Sequence, residues 1–316
     1  MIWILFSILI LTLLTIDLVV LHKKGQIISH RKAAIETILW VTVALLFGGA
    51  IYALYDGGFV NNPENLTGTA AFLKYVTGYL VELSLSVDNL FVIAVIFTSF
   101  KIPAKNQHLV LFWGILGAVF FRAVLIGVGV LLIQEISWMT YVFGIFLLFT
   151  AFKMISEEEE GKPSPLSERI RSWLKVTKTF HGDKFMIREN GVLMATPLLA
   201  ALVMVEVTDV LFALDSIPAI LAVTSDPFIV YSSNMFAILG LRSMYFFLAH
   251  MLRKFHYLKY SVFAILLFVA LKLLVIHFLE FPEWFSLLFI ALALAFGVIV
   301  SLQKRKAKVE AWRSKR

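Results

Sequence analysis

Nine apolar runs, each near the length a helix needs to cross a bilayer, exclude most folds for this chain. A spanning helix takes about 20 predominantly apolar residues. Runs of that kind fall near 2–21, 34–55, 70–99, 108–133, 139–156, 192–223, 229–252, 260–280 and 285–303. Hydrocarbon offers no water to backbone amides, so each run must satisfy its own hydrogen bonds as a helix. With 60% of 316 residues hydrophobic and 16% charged, the chain lacks the polar surface of a soluble protein. The expected fold is an all-α polytopic membrane protein embedded in a lipid bilayer. The absence of cysteine excludes disulfides, thiolate metal sites and cysteine nucleophiles. The first run has no preceding basic region and no small-residue cleavage site, so it reads as a retained helix.

The segments between runs alternate in charge. Lys23, Lys24, Arg31 and Lys32 follow or precede the first two runs, whereas 56–69 contains acids and one amide-rich turn but no base. Lys101 and Lys105, the mixed charges of 157–191, then Arg253, Lys254 and Lys259, and finally the basic tail from Lys304 all fall on one side of a nine-span arrangement. Positive-inside bias places the N-terminus outside and the C-terminus in the cytoplasm of a cell (plasma) membrane. The net charge of +7 is thus topological information, and no nucleic-acid partner is expected. The one sizeable polar segment, 157–191, opens with four glutamates, continues into an amphipathic stretch, "LSERIRSWLKV", and contains a Gly-Asp pair that suggests a small hairpin. The acid run reads as a solvated linker, with a metal-attracting mouth as the alternative. Protein partners, if any, would dock on this loop.

The runs also repeat. "YVFGIFLLFTAFKMI" (141–155) aligns without gaps on "YSVFAILLFVALKLL" (260–274), placing Lys153 on Lys272. "VELSLSVDNLFVI" (81–93) aligns on "TDVLFALDSIPAI" (208–220), placing Glu82 on Asp209 and Asp88-Asn89 on Asp215-Ser216. "ILGAVFFR" (115–122) resembles "ILGLR" (238–242), each with one arginine, Arg122 and Arg242. Each unit is therefore three helices, acidic, Arg-bearing and Lys-ending, and the topology inverts the second unit relative to the first. Inverted repeats with polar residues at matching mid-helix positions mark secondary transporters. The chain then divides into 1–69 (two helices and an outer loop), 70–156 (first repeat), 157–191 (cytoplasmic loop), 192–280 (inverted repeat) and 281–316 (last helix and tail).

Glu82, Asp88, Glu206, Asp209 and Asp215 all lie inside predicted spans. A carboxylate at the centre of a spanning helix costs about 2.5–3.5 kcal/mol, so such groups face protein, water or an ion. Pairing with Arg122 and Arg242, or protonation, would account for some of them. Five acids against two arginines leave a negative surplus, which suits a cation or proton path. Ser84, Ser86, Asn89, Thr208, Ser216 and Asn234 add oxygens, and the acidic helices carry no histidine. An all-oxygen set suits Mg²⁺, Ca²⁺ or Mn²⁺ without separating them.

Six residues turn a helix by about 600°, so Glu82 and Asp88 point some 120° apart. Pro218 has no N–H and frees the carbonyl of Leu214 beside Asp215, which predicts either a cation ligand at a helix break or a simple kink. Lys153 is expected to snorkel, and Lys272 to be better buried and paired with an acid. The histidines lie mostly near membrane boundaries, where structural roles are expected.

"GYLVELSLSVDNLFVIAVIF", "QHLVLFWGILGAVFFR" and "VEVTDVLFALDSIPAILAVTSDPFIVYSSNMFAILGLRSMYFFL" resemble the TerC family of integral membrane proteins over roughly residues 30–280. The family's name refers to tellurium resistance and does not identify a substrate. The resemblance implies the Alx-like branch, associated with manganese export, and a wider superfamily that includes LysE-type exporters. Family members are also linked to loading metal into secreted enzymes. Carried over by motif, the functional positions would be Glu82, Asp88 and Asn89, with Glu206, Asp209, Asp215 and Ser216.

The expected function is export of a divalent cation, Mn²⁺ foremost, with Asp88 and Asp215 as central ligands and Glu82, Glu206 and Asp209 completing the site or carrying protons. Asn89, Ser216 and the Leu214 carbonyl would add neutral oxygens. A Ca²⁺/H⁺ exchanger with the same site and a non-transporting scaffold of a metal-stress or tellurium-resistance complex are the alternatives. Neither a prosthetic group nor an enzymatic activity is expected, and no nucleotide-binding loop supports ATP-driven transport by this chain alone.

Overall fold

The computed structural model describes residues 2–17, 30–136, 138–156, 173–174, 176–177, 182–189, 192–249, 258–275 and 283–313. It is mostly helical, and each apolar run carries a helix. In chain order these are α1 (Ile2–Thr15), α2 (His30–Asp56), α3 (Gly68–Ser99), α4 (Ala104–Glu135), α5 (Met139–Ser156), α6 (Pro197–Leu221), α7 (Pro227–Ile238), α8 (Leu241–Ala249), α9 (Leu258–Val275) and α10 (Glu283–Arg313). Among the described residues, segments 31–56, 104–132 and 197–221 are long and apolar enough to cross a membrane, and shorter apolar helices occupy 2–15, 227–238, 260–272 and 285–301. Leu46, Phe120, Ile145, Phe149 and Phe296 all turn outward with more than 60% of their surface exposed, a load of outward apolar area that water would not tolerate.

Three differences from the sequence reading have local causes. First, 192–195 is not helical. It forms strand β2 (Val192–Ala195), antiparallel to β1 (Met186–Glu189), and α6 starts only after Thr196, with Pro197 in its first turn. The hairpin therefore lies later than the Gly-Asp pair suggests: Gly182 and Asp183 precede β1, and the Asn106 side chain binds there, to the Asp183 carboxylate at 2.7 Å. Most of "LSERIRSWLKV" and the four glutamates lie outside the described residues.

Second, α6 runs unbroken through Pro218. Pro218 sits in the last turn, so only one helical bond, to the Leu214 carbonyl, is forfeited. The break falls instead in the seventh run, between α7 and α8. Gly240 there has φ +83°, a left-handed conformation that glycine adopts without a Cβ penalty. A Cβ on Gly240 would meet the Trp40 side chain at 2.7 Å, so α2 is fitted against the break. Third, α10 continues well past its apolar run into the basic tail.

The helices pair in a definite pattern. α5 packs on α9, α4 on α6, and α3 on both α7 and α6. Small residues permit close approach, as membrane helices require: a Cβ on Gly129 of α4 would come within 2.9 Å of Ile217 on α6, and one on Gly78 of α3 within 3.0 Å of Ser233 on α7. Leu147, Ala151, Leu266 and Ala270 are fully buried or nearly so along the α5–α9 seam. On the other side Phe47 of α2 stacks on Phe236 of α7, centroids 4.4 Å apart.

Outside the helices the α2–α3 connection is fastened to the α6–α7 turn. Glu64 Oε1 accepts from the Thr224 hydroxyl (2.9 Å), the Ser225 hydroxyl (2.9 Å) and the Ser225 N–H (2.6 Å), while Oε2 accepts from Lys74 Nζ at 2.6 Å. Asp226 beside it caps α7, accepting from the Phe228 and Ile229 N–H groups and from the Tyr55 hydroxyl. Burial pushes the Glu64 carboxyl up, but the Lys74, Ser225 and Thr224 donors outweigh it and hold the group below its ordinary 4.5. Burial dominates at Asp226 and raises that carboxyl from 3.8.

The two shifts act in opposite senses on stability. Glu64 stabilises the fold fully above pH 4.5, and that contribution fades as pH falls through its lower folded value. Asp226 contributes fully below pH 3.8 and loses its contribution as pH rises towards its higher folded value. Glu64→Gln is expected to flatten the fall in thermal midpoint below pH 4.5 in detergent-solubilised protein. A variant whose acid limb matches the wild type would show that the fastening does not contribute.

Candidate functional site

Arg122, in the middle of α4, is fully buried. It is surrounded by carboxylates from two other helices. Nη1 donates to Oε1 of Glu82 on α3, while Nη2 and Nε donate to Oδ1 and Oδ2 of Asp209 on α6, at 3.0 and 3.3 Å. The planar guanidinium thus grips Asp209 with a two-pronged fork, the geometry that distinguishes arginine from lysine. The other Glu82 oxygen, Oε2, accepts from Asn234 Nδ2 of α7 at 3.0 Å, and the Ser86 hydroxyl reaches Oε1 at 3.3 Å. Both oxygens of Glu82 are therefore engaged. The node joins α3, α4, α6 and α7 through one cation.

Glu206, one turn before Asp209 on α6, is placed differently. Its carboxylate lies against Gly117 of α4 so closely that any Cβ there would collide with it, and Oε2 is buried without a hydrogen-bond partner. Two other buried oxygens of the predicted set also lack hydrogen-bond partners, Ser216 Oγ on α6 and Asn234 Oδ1 on α7. Thr208 is occupied locally, donating to the Met204 carbonyl at 2.6 Å. A cavity of about 30 Å³, room for a water molecule or two, lies between α3, α4, α6 and the start of α8, with Asn89, Thr208 and Asp209 supplying its polar lining. A larger cavity of about 500 Å³ opens further along α3, flanked by Thr98, Lys101, Gln107 and Tyr245.

Asp88 and Asp215 lie on α3 and α6, but their side chains are outside the described residues, as is that of Lys153. Among the described residues, no three acids or histidines gather closely enough to hold one metal ion. The structure brings Glu82 and Asp209 together, around Arg122 rather than around a vacancy. Lys272 is buried as expected, and its ammonium donates to the Ser286 hydroxyl of α10 at 3.1 Å.

Arg242 departs from expectation. It begins α8, just past the Gly240 break, and its charge is coupled to Asp17, beyond the end of α1, and to Glu36 on α2. Asp17, Glu36 and Arg242 are all buried. Trp40 Nε1 donates to Asp17 Oδ1 at 2.9 Å and Ser243 Oγ to Glu36 Oε2 at 3.2 Å. Neither acid was singled out by the sequence reading. The available signal was their position: both fall at the edges of the first two runs, where a carboxylate is easily taken for a solvated flank.

The profile of the integral membrane protein TerC family matches residues 67–309. An uncharacterised membrane protein of Myxococcus xanthus is 45% identical over 270 residues, covering 84% of this chain and 81% of its own. A protein of Salmonella typhi, described as a candidate membrane-bound redox modulator, Alx, is 45% identical over 271 residues, covering 84% and 82%. Its counterpart in Escherichia coli K12, described in the same words, is 44% identical over the same share of each chain. No solved structure matches. By a family profile that spans most of its length, and by relatives aligned over most of theirs, the chain belongs to the TerC family of integral membrane proteins.

Proposed function

We propose that this protein is a secondary transporter with nine spans that exports a divalent cation, Mn²⁺ foremost, from the cytoplasm through an acidic intramembrane site. One observation carries the reading: at the α3–α4–α6 junction Arg122 pairs Glu82 and Asp209, and Glu206, one turn from Asp209 and set against Gly117, has a buried oxygen without a hydrogen-bond partner, before Asp88 and Asp215 are counted. A net surplus of buried negative charge is costly unless a cation or protons occupy it. The unpartnered oxygens of Glu206, Ser216 and Asn234 are hard donors of the type that Mn²⁺, Ca²⁺ and Mg²⁺ accept.

The inverted-repeat reading draws support from the helix pairing. If a two-fold relation exchanges α3–α5 with α6–α9, the α3–α7 contact should have an α6–α4 counterpart, and α5 should meet α9. Both pairings are present. The interruption at Gly240 gives the second repeat a discontinuous helix, as transporters use near their sites. In this scheme Arg122 holds Glu82 and Asp209 as the fixed frame, and Asp88, Asp215 and Glu206 exchange cation for protons. The larger cavity beside Gln107 and Tyr245 is the cytoplasmic approach. Export against an inside-negative potential costs about 4.6 kcal/mol per 100 mV for two charges, so a countermoving proton or sodium ion, or a steep gradient, must drive it.

The relatives' description as candidate redox modulators suggests a second reading. The sequence contains no cysteine, so direct thiol exchange by this chain is excluded, and a redox effect would arise indirectly, through the metal supply of other proteins.

Two experiments test these roles. In proteoliposomes, Asp88→Asn is expected to lower Mn²⁺ flux at least about tenfold with an unchanged elution profile; unaltered flux would remove Asp88 from the site. Arg122→Gln is expected to destabilise the protein by about 3–5 kcal/mol, because two buried carboxylates lose their partner. Adding Glu82→Gln and Asp209→Asn should recover most of that loss in thermal unfolding. Equal stability of Arg122→Gln and wild type would contradict the ion network.

A further inference from the structure

The two arginines follow the shared Ile-Leu-Gly, five residues after Gly117 and two after Gly240, and meet different charges. Arg122 is bonded to Glu82 and Asp209, whereas Arg242 is buried beside Ser243, which binds Glu36 of α2, and near Asp17, just past α1, which Trp40 binds. Asp17 and Glu36 both precede residue 67, where the family profile begins. Lys32 stands 3.7 Å from Glu36, so among the described residues two bases accompany the two acids. The central group of Glu82, Glu206, Asp209 and Arg122 sums to −2 when ionised.

The two environments adjoin in the sequence. Leu241 lines the small cavity shared with Asn89 and Asp209, and Arg242 follows it directly. Three contacts place Asp17 and Glu36 around the start of α8, where Arg242 lies. Trp40 closes over the Gly240 break, where no Cβ fits, and its indole N–H fixes Asp17. Ser243 fixes Glu36 from the other side.

We infer that α1 and α2 serve as a counter-charge clamp, in which Asp17 and Glu36 hold Arg242 out of the central cavity and so keep that cavity negative enough for a divalent cation. This inference rests on the transport reading above. A buried guanidinium deprived of partners seeks other carboxylates, because an unpaired buried charge is strongly unfavourable. The cavity that Asp209 borders is lined by Leu241, the residue before Arg242, and a positive charge arriving there opposes the cation directly. Asp17 and Glu36 are therefore positioning residues, acting through Arg242 without touching the cation.

The test uses full-length protein, with Mn²⁺ alone as probe in a binding titration and in proteoliposome flux. Asp17→Asn with Glu36→Gln is expected to weaken Mn²⁺ binding at least about tenfold, since one added charge acts on a divalent ion. Adding Arg242→Gln to that pair should restore binding to near the wild-type value, a rescue that a merely structural role for the acids would not give. Unchanged affinity in the double variant, or no rescue in a triple variant that elutes and melts like wild type, overturns the clamp. A double-mutant cycle on thermal stability between Asp17 and Arg242 provides a metal-independent readout. Additive effects there also overturn the clamp. If wild type binds no Mn²⁺ while the cycle shows coupling, it is the transport reading that fails, and the pairing stands.

Discussion

The arrangement of this protein turns on one buried cation. Arg122 has no access to water, and Coulomb attraction in a medium of low dielectric makes its two carboxylate partners close to obligatory. Glu82 comes from α3 and Asp209 from α6, so the chain must bring both of these acidic helices to one point on α4. Asn234 then draws α7 to the same place through Glu82. In lipid, apolar side chains give helices little reason to prefer one neighbour over another. A charge network does give such a reason, and here it sets which helices converge. The small residues at Gly78, Gly117 and Gly129 permit the approach that the charges demand.

That frame leaves a consequence for chemistry. Fixing two acids with one arginine leaves Glu206 over, half-buried against Gly117 with one buried oxygen lacking a hydrogen-bond partner. A half-buried carboxylate in this position lowers its cost by binding a proton or a metal ion, and switching between the two would be the elementary step of proton-coupled export. The sequestration of Arg242 by the N-terminal helices acts in the same direction, because it keeps a second positive charge from cancelling the surplus. Fold and proposed function therefore share one bookkeeping of charge.

Much of this was legible in the sequence, for a physical reason. Apolar runs have no alternative to helix in a bilayer, so their positions follow from composition alone. Intramembrane acids and arginines are rare, so Glu82, Arg122 and Asp209 stood out before their contacts were known. What escaped was the partner choice. Arg242, like Arg122, follows an Ile-Leu-Gly, yet the acids around it are Glu36, which the neighbouring Ser243 binds, and Asp17, which Trp40 binds, both from the first two helical runs. Pro218 drew attention as a breaker, but in a last turn it costs one hydrogen bond, whereas Gly240 in mid-run takes the left-handed conformation that ends α7. The hairpin was signalled by Asn190-Gly191, a stronger turn pair than the Gly-Asp before it, and the strand beyond was absorbed into an apolar run because four residues show little periodicity.

The central claim is that a divalent cation sits inside the membrane between α3 and α6. The most direct test is anomalous scattering from crystals of the full-length protein grown with Mn²⁺, recorded on both sides of the manganese absorption edge. The account predicts an edge-dependent peak between those helices, at the level of Asp88 and Asp215, that disappears in Asp88→Asn. A peak confined to the four glutamates at 157–160, with none between the helices, would contradict it.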